Sequence, residues 1–213
     1  MRILVTGASR GIGSALMDIY EESDDEVLGT SRRGGDGLIQ LDVTDPASLA
    51  RLPGEVGGEL DLLVCNAGIF PDRHERHDTG YPAAMWAEVF ATNVTGVFLT
   101  VQALLPALIE AEGKIAILAS QMGSSRKATG GAYIYRASKA AVLNLAKNLA
   151  SDLEPDGIAV GAYHPGWVRT DMGGDGASLS PREAAEGLAE RFDELDLHNT
   201  GCFETWNGTK HPF

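Results

Sequence analysis

Thr6-Gly7-Ala8-Ser9-Arg10-Gly11-Ile12-Gly13 is the stretch that decides the fold of this 213-residue chain. It follows Ile3-Leu4-Val5, an apolar run typical of a buried parallel strand, and it precedes Ser14–Tyr20, which has helical periodicity. Glycines between a strand and a helix let the backbone approach a pyrophosphate at the positive end of the helix dipole. A tight turn that merely needs glycine is the alternative. The TGxxxGxG spacing at the first strand–helix junction argues against it.

Strand and helix patterns alternate along the rest of the chain. The further predicted strands are Glu26–Thr30, Leu38–Leu41, Leu60–Cys65, Lys114–Ala119, Ile158–Tyr163 and an edge strand, Cys202–Trp206. The further predicted helices begin at Asp45-Pro46, extend from Tyr81 to Ile109 and from Tyr133 to Leu153, and begin again near Ser180. We therefore predict an α/β fold: a Rossmann-like, doubly wound, mostly parallel sheet of about seven strands, with helices on both faces. Residues 1–213 are expected to form one dinucleotide-binding and catalytic domain.

Composition and charge narrow the class of protein. The formal net charge of -13 argues against a basic nucleic-acid-binding surface. We expect no membrane span, because no apolar run reaches about 20 residues, and no signal peptide, because the chain opens directly into a strand. Cys65 and Cys202 lack CxxC spacing and are interpreted as buried free thiols. His74 and His77 have no evident third ligand nearby, so no metal site is expected. A cytoplasmic location fits these features.

The end of the second strand bears on the choice of dinucleotide. An acidic residue there usually binds the adenosine ribose hydroxyls in NAD-binding proteins, and none occurs between Gly29 and Arg33. Arg32 and Arg33 stand there instead, and Arg10 lies in the glycine-rich stretch. Guanidinium groups can donate paired hydrogen bonds to a 2′-phosphate. The alternative is that these are exposed loop charges. We predict that NADP(H) is preferred and that NAD(H) remains possible.

Tyr135-Arg136-Ala137-Ser138-Lys139 is the candidate for proton chemistry. Residues four apart on a helix lie on one face, so the Tyr135 phenol and the Lys139 ammonium should project together. A nearby cation favours the phenolate and moves the pKa of Tyr135 from about 10 towards working pH. Tyr-x-x-x-Lys also occurs by chance on solvated helix faces. Its interpretation therefore depends on the other motifs.

Five ordered motifs resemble those of the short-chain dehydrogenases/reductases. They are TGASRGIG at 6–13, CNAG at 65–68, NVTG at 93–96, Ser120 and YRASK at 135–139. HPGWVRT at 164–170 is similar to the nicotinamide loop of that family. The resemblance covers nearly the whole chain. SQMGS at 120–124 and the small size are most similar to the subgroup of sniffer-type carbonyl reductases and bacterial C-factor proteins.

The resemblance implies roles for four catalytic residues, Asn93, Ser120, Tyr135 and Lys139. Tyr135 would be the general acid/base, and Lys139 would lower its pKa and bind the nicotinamide ribose. Ser120 would hold the substrate oxygen, and Asn93 would position a water that relays protons to Lys139. Together, the residues and the resemblance give a cofactor-binding set of Gly7, Ser9, Arg10, Gly11, Ile12, Gly13, Arg32, Asp42, Val43, Asn66, Ala67, Gly68, Tyr135, Lys139, Pro165, Gly166, Val168 and Thr170.

The implied activity is an oxidoreductase that transfers a hydride between NADP(H) and a small carbonyl or alcohol substrate. Gln121 stands where the family usually has serine, which bears on the substrate pocket, and the segment between Thr170 and Ser180 predicts a small lid. One alternative is a dinucleotide-binding signalling or sensor protein of the C-factor type. Another is a sugar-nucleotide epimerase or dehydratase, for which little chain remains after Thr170.

Assembly is the last expectation from the sequence. The predicted helix around 94–109 is apolar around most of its circumference, more than one face against a sheet requires. An apolar patch of this size is unusual on a soluble monomer. We therefore predict a homodimer or homotetramer, as is common in the family the chain resembles. The alternative is a monomer in which the loop at 70–80 covers the patch.

Overall fold

Seven parallel strands form the central sheet of the computed structural model, which describes residues 1–213. The strands are β1 Arg2–Val5, β2 Glu26–Ser31, β3 Ile39–Gln40, β4 Leu62–Cys65, β5 Lys114–Leu118, β6 Ala159–His164 and β7 Phe203–Thr205. The helices are α1 Gly11–Glu22, α2 Pro46–Val56, α3 Ala83–Phe90, α4 Gly96–Glu110, α5 Tyr133–Leu153 and α6 Pro181–Asp193. The order is β3-β2-β1-β4-β5-β6-β7, and all pairings between these strands are parallel. This confirms the predicted doubly wound α/β fold.

Two hydrophobic cores lie on opposite faces of the sheet. Successive strand residues point to opposite faces, so Leu4 belongs to the larger core, whereas Ile3 and Val5 belong to the smaller one. The larger core includes side chains of α2, α4 and α5, and the smaller one includes side chains of α1 and α6. Covering both faces explains why the strands are continuous apolar runs rather than alternating ones.

The strand order reverses between β1 and β4, which are neighbours in the sheet. In open α/β sheets, ligands bind in the crevice outside the carboxyl ends of the strands at such a point. The glycine-rich stretch follows β1, Asn66–Gly68 follow β4, and Ser120 lies just beyond β5. The topology therefore brings three sequence motifs, more than 50 residues apart, to one edge of the sheet.

Helices α3 and α4 form one continuous helical segment, Ala83–Glu110, of 28 residues. By length and composition alone, this segment is long and apolar enough to cross a membrane. Its inner side chains, including Val101, Leu104 and Leu108, are buried in the larger core. Core helices of soluble proteins pass the same test, so the segment is only weak evidence for a membrane span.

The outer surface of α4 is apolar as well. Phe98 and Ile109 on α4 are 40% and 42% exposed, and Trp86 on α3 is 37% exposed. Exposed apolar groups in such number favour a protein–protein contact. The loop at 70–80 does not cover Phe98 or Ile109, so the monomeric alternative does not explain this surface.

The exposed surface of α4 predicts a dimer or tetramer with a mass that is a multiple of 22.5 kDa. Phe98→Glu should convert the assembly to a monomer, because a buried unpaired charge at the contact is costly. Leu197→Glu, at a similarly exposed apolar residue outside α4, is the matched control. Light scattering at micromolar concentration measures the mass. A wild-type mass near 22.5 kDa would refute the assembly.

Candidate dinucleotide and catalytic site

The glycine-rich turn between β1 and α1 has the shape of a phosphate-binding turn. Gly7 and Gly11 have φ angles of 67° and 61°, a left-handed conformation that side chains disfavour. A Cβ at Gly13 would lie 2.7 Å from the Asn66 amide nitrogen, so only glycine fits there. Arg10 precedes α1 without a side-chain cap, which leaves the first N–H groups of the helix free. Free N–H groups at a helix N-terminus suit a phosphate.

Asn66 fastens this turn to the end of β4. Its side-chain nitrogen donates to the carbonyl oxygens of Thr6 at 2.8 Å and Gly7 at 3.0 Å. In return, the Thr6 hydroxyl accepts from the backbone N–H groups of Asn66 at 3.0 Å and Ala67 at 3.1 Å. Of the predicted cofactor-binding residues Asn66, Ala67 and Gly68, Asn66 therefore has its side chain engaged with the protein itself. Its amide holds the glycine-rich turn in shape.

The residues predicted near the adenosine lie at the ends of β2 and β3. Arg32 is exposed, and its positive charge helps to lower the pKa of Asp42. The main cause of that shift is the hydrogen bond from the Thr44 hydroxyl at 2.7 Å, and the Thr44 N–H donates at 2.9 Å. Val43 beside Asp42 is buried. Arg10, which like Arg32 is predicted to bind the 2′-phosphate of NADP(H), forms an exposed ion pair with Asp171 at 2.6 Å.

Tyr135 and Lys139 project from α5 into the interior at the end of β5. Each is 7% exposed, and Ser120 is 6% exposed. The Lys139 Nζ lies 5.7 Å from the centre of the Tyr135 ring and donates to the Leu118 carbonyl at 2.6 Å. The Ser120 hydroxyl accepts from the Met122 N–H at 3.1 Å. The structure therefore brings together the predicted tyrosine, lysine and serine.

The pKa of Tyr135 differs from the expectation. Burial raises it to about 12, the negative charge of Asp72 adds to the rise, and an interaction with the Ser120 hydroxyl acts against it. Burial also lowers the pKa of Lys139 to about 8. The expectation that Lys139 lowers the pKa of Tyr135 is therefore wrong for the protein as described. The physical reason is that burial penalises the phenolate, while the Lys139 ammonium is directed to Leu118.

Asn93 lies in a π-helical turn, Ala91–Thr95, between α3 and α4, and is 1% exposed. Its side-chain oxygen accepts from the Ile69 N–H at 2.9 Å. Its nitrogen donates to the Ile69 carbonyl at 2.9 Å and to the Ser138 hydroxyl at 3.1 Å. A Cβ at Gly68 would lie 3.3 Å from the Asn93 oxygen and 3.9 Å from the Lys139 nitrogen. Asn93 and Lys139 therefore both lie close to Gly68.

The predicted nicotinamide loop closes the crevice from the other side. Gly166 has a φ of 86°, and Val168 pairs with Leu179 across the lid segment. A Cβ at Gly11 would lie 3.1 Å from the Thr170 methyl carbon, so Thr170 reaches the glycine-rich turn. Of the four predicted nicotinamide-loop residues, Thr170 thus lies against the glycine-rich turn, and Val168 pairs with the end of the lid segment.

Asp72 and Phe70 lie at this site but were not predicted from the sequence, which indicated only a loop at 70–80. Asp72 is 0% exposed and accepts from the Ile134 N–H at 2.8 Å. The Phe70 ring stacks on Tyr135 with centroids 4.0 Å apart and 21° between the planes. One signal was present in the sequence: Ala132, which precedes α5, has no side-chain acceptor that could cap the helix.

The fold and the site define a protein of the Rossmann-type dinucleotide-binding class. Its glycine-rich turn lies at the switch point of a parallel sheet, beside a buried tyrosine and lysine.

Comparisons with known proteins agree with that class. The family model for short chain dehydrogenase matches residues 1–178, and the chain belongs to this family of oxidoreductases. It is 37% identical to C-signal of Myxococcus xanthus over 158 residues, which cover 73% of this chain and 94% of that protein. It is 33% identical to the 3-oxoacyl-[acyl-carrier-protein] reductase FabG of Escherichia coli K12 over 185 residues, covering 79% of this chain and 74% of that one.

Solved structures resemble the whole chain. An NADPH-bound carbonyl reductase from chicken fatty liver superimposes with a TM-score of 0.90 at 29% identity, covering 100% of this chain and 98% of the other. The carbonyl reductase Sniffer of D. melanogaster superimposes with a TM-score of 0.92 at 25% identity, covering 100% and 99%. The resemblance to the sniffer-type subgroup that the sequence suggested is confirmed.

Proposed function

We propose that this protein transfers a hydride between NADP(H) and a small carbonyl or alcohol substrate, with Tyr135 as the general acid/base. One observation carries the proposal: Tyr135, Ser120 and Lys139 are buried together beside a glycine-rich turn whose helix N–H groups are free. Burial of three polar side chains in one place is costly unless they are paired or used. The solved neighbours with bound NADPH or NADP support the same assignment.

The residues present fit a dinucleotide. Gly7, Gly11 and Gly13 leave room for the pyrophosphate, and the first turn of α1 offers its N–H groups. Pro165, Gly166, Val168 and Thr170 would flank the nicotinamide, with Lys139 on its ribose. When bound, the dinucleotide supplies or accepts the hydride. Our proposal assigns orientation, exclusion of water and proton transfer to the side chains of this chain.

Tyr135 and Ser120 would hydrogen-bond the substrate oxygen. With a pKa of about 12, Tyr135 retains its proton at neutral pH and is ready to donate it in the reducing direction. Both hydroxyls stabilise an oxygen on which negative charge develops, and removing one such donor typically costs about 10²–10³ in kcat. Asn93 would position a water that passes protons from solvent to Lys139, and Lys139 would return a proton to Tyr135 after each turnover.

The direct test is oxidation of NADPH in the presence of aldehydes, ketones and quinones, followed by absorbance. We expect at least one class to be reduced. Whole-chain similarity to carbonyl reductases favours this panel over sugar nucleotides, the substrates of an epimerase or dehydratase. No turnover with any class, despite tight NADPH binding, would overturn the proposal in favour of a sensor.

A signalling or sensor function is the second candidate. The 37% identity to C-signal is the observation that favours it. A sensor needs the dinucleotide to be bound but does not need turnover, so it would tolerate the loss of Tyr135. We therefore favour the enzyme, because the buried Tyr135 is costly to maintain without a use. We propose that residues 1–213 work as one domain, in the cytoplasm.

Cofactor choice gives a separate prediction. Arg32 has no acidic partner within 4 Å, and Arg10 is held only by an exposed ion pair, which water screens, so both can turn to a 2′-phosphate. A charge-assisted hydrogen bond is worth roughly 1.5–3 kcal/mol. We expect NADPH to bind at least about tenfold more tightly than NADH.

Titrating both dinucleotides into the apo protein measures this preference. Arg32→Asp should shift it towards NADH, because a carboxylate repels the 2′-phosphate and can accept from a ribose hydroxyl. Arg33→Asp makes the same change of charge at the neighbouring exposed position and should shift it less. Equal affinities in the wild-type protein would exclude the preference.

A further inference from the structure

Asp72 lies under the first turn of α5 although it comes from the loop after β4. It belongs to a short 3₁₀ turn, Pro71–His74, and is 0% exposed. One carboxylate oxygen lies 2.8 Å from the Ile134 N–H and 3.2 Å from the Tyr135 N–H, and the other lies 3.3 Å from the Tyr135 N–H. Asp72 forms no ion pair in the structure. Its charge is therefore balanced by the N-terminus of this helix.

Helix α5 is capped by another part of the chain, because its own sequence supplies no cap. Ala132, the residue before the helix, has φ 46° and ψ 45° and offers no side-chain acceptor. The N–H groups of the second and third helical residues are those that a local cap normally satisfies. In α5 these residues are Ile134 and Tyr135. Asp72 thus replaces a local cap from 62 residues away.

The neighbours of Asp72 reach two further parts of the site. Phe70 stacks on the Tyr135 ring, as described above. Arg73 donates to the carbonyl oxygens of Met172 at 2.9 Å and Gly173 at 3.2 Å, in the lid segment. One segment, Phe70–Arg73, therefore contacts the phenol ring, the start of its helix and the lid. A surface loop that only joined two elements of the fold would not need these three contacts.

We propose that Asp72 is a positioning residue for Tyr135: its carboxylate fixes the first turn of α5 and hence the distance between the Tyr135 and Ser120 hydroxyls. The proposal rests on the proposed acid/base function of Tyr135. Donors to a developing oxyanion must be held within about 0.5 Å of their working positions. A misplacement of about 1 Å can cost 10²-fold in rate. Anchoring the backbone N–H of Tyr135 itself meets this requirement.

The test compares Asp72→Ala with Asp72→Asn. Alanine removes the hydrogen bonds to both N–H groups, so we expect kcat to fall at least about tenfold while the Kd for NADPH changes less than about twofold. Asparagine can place its oxygen where Asp72 accepts from Ile134 and Tyr135, so we expect kcat within about threefold of wild type. Asp72→Ala with wild-type kcat, or Asp72→Asn as impaired as Asp72→Ala, would overturn the proposal.

Asp45→Ala is the matched control. Asp45 caps α2 at the equivalent second and third residues, accepting from the N–H groups of Ala47 at 3.1 Å and Ser48 at 3.0 Å. We expect it to lower the melting temperature while leaving kcat unchanged at saturating NADPH. Equal loss of kcat in Asp45→Ala and Asp72→Ala would show a general stability effect and overturn the positioning role.

Hydrogen exchange in the wild-type apo protein is a second test, which does not require the Asp72→Ala variant to fold. The amides of Ile134 and Tyr135 should be protected, whereas the equivalent amides of the uncapped α1, Ile12 and Gly13, should exchange faster. Equal exchange in both helices would overturn the contact. Failure of the proposed function is distinguishable, since it would appear as an active Tyr135→Phe variant whatever Asp72 does.

Discussion

Tyr135→Phe is expected to lower kcat by about 10³-fold or more, because it removes both the proton donor and a hydrogen bond to the developing oxyanion. The change deletes one oxygen and keeps the ring that stacks on Phe70. The glycine-rich turn and the nicotinamide loop are untouched, so the Kd for NADPH should stay within about twofold, the expected signature of a transition-state interaction. Steady-state rates and a fluorescence titration measure the two quantities.

Tyr133→Phe is the matched control for this variant. Tyr133 lies two residues earlier on α5 and is 45% exposed, so the same deletion there should leave kcat within about twofold. A Tyr135→Phe enzyme that reduces its substrate at a near wild-type rate would remove Tyr135 from the acid role. A signalling activity that survives in this variant would favour the sensor function.

Lys139→Met is the second change with a large expected effect, and it acts on turnover and stability in opposite directions. We expect kcat/KM to fall at least about a hundredfold, because the charge on the nicotinamide ribose and the proton relay are both lost. Stability should respond differently. Burial lowers the pKa of Lys139 from 10.5 to about 8. At neutral pH the buried, charged Lys139 therefore lowers the free energy of unfolding.

The sign of the pH dependence follows from that shift. Between pH 8 and 10.5 the unfolded chain holds this proton and the folded protein has lost it, so the free energy of unfolding rises with pH. Relative to Lys139→Met, the free energy of unfolding of the wild-type protein should rise by roughly 2–3 kcal/mol between pH 7 and pH 10. Below pH 8 the destabilisation caused by Lys139 should be constant. Groups that titrate in both proteins cancel in the difference.

Urea denaturation at pH 7 and pH 10 measures this difference. Lys147→Met removes an exposed lysine from the same helix and controls for the loss of one charge. A constant difference between wild type and Lys139→Met at the two pH values would contradict the lowered pKa. The expected result would identify Lys139 as a residue that serves catalysis and lowers stability, as is common at active sites.

Much of the fold could be predicted from local patterns. The predicted boundaries of α5, Tyr133–Leu153, agree with the structure. Helix α6 begins near Ser180, as predicted, and a reciprocal pair of hydrogen bonds between Ser180 and Glu183 caps it. Helical spacing also placed Tyr135 and Lys139 on the same buried side of one helix. These features depend on periodicity and turn chemistry within a few residues, which a sequence contains directly.

The sequence therefore determined the doubly wound sheet, the glycine-rich turn and the Tyr135–Lys139 pair. The tertiary structure alone decided the direction of the Tyr135 pKa, the capping of α5 by Asp72 and the bonding of Asn66 to the glycine-rich turn. The π turn that carries Asn93 was also beyond the sequence pattern, since its partners come from Ile69 and Ser138. In each case the deciding contacts join residues 24 to 63 positions apart, or depend on burial, and neither is encoded in local periodicity.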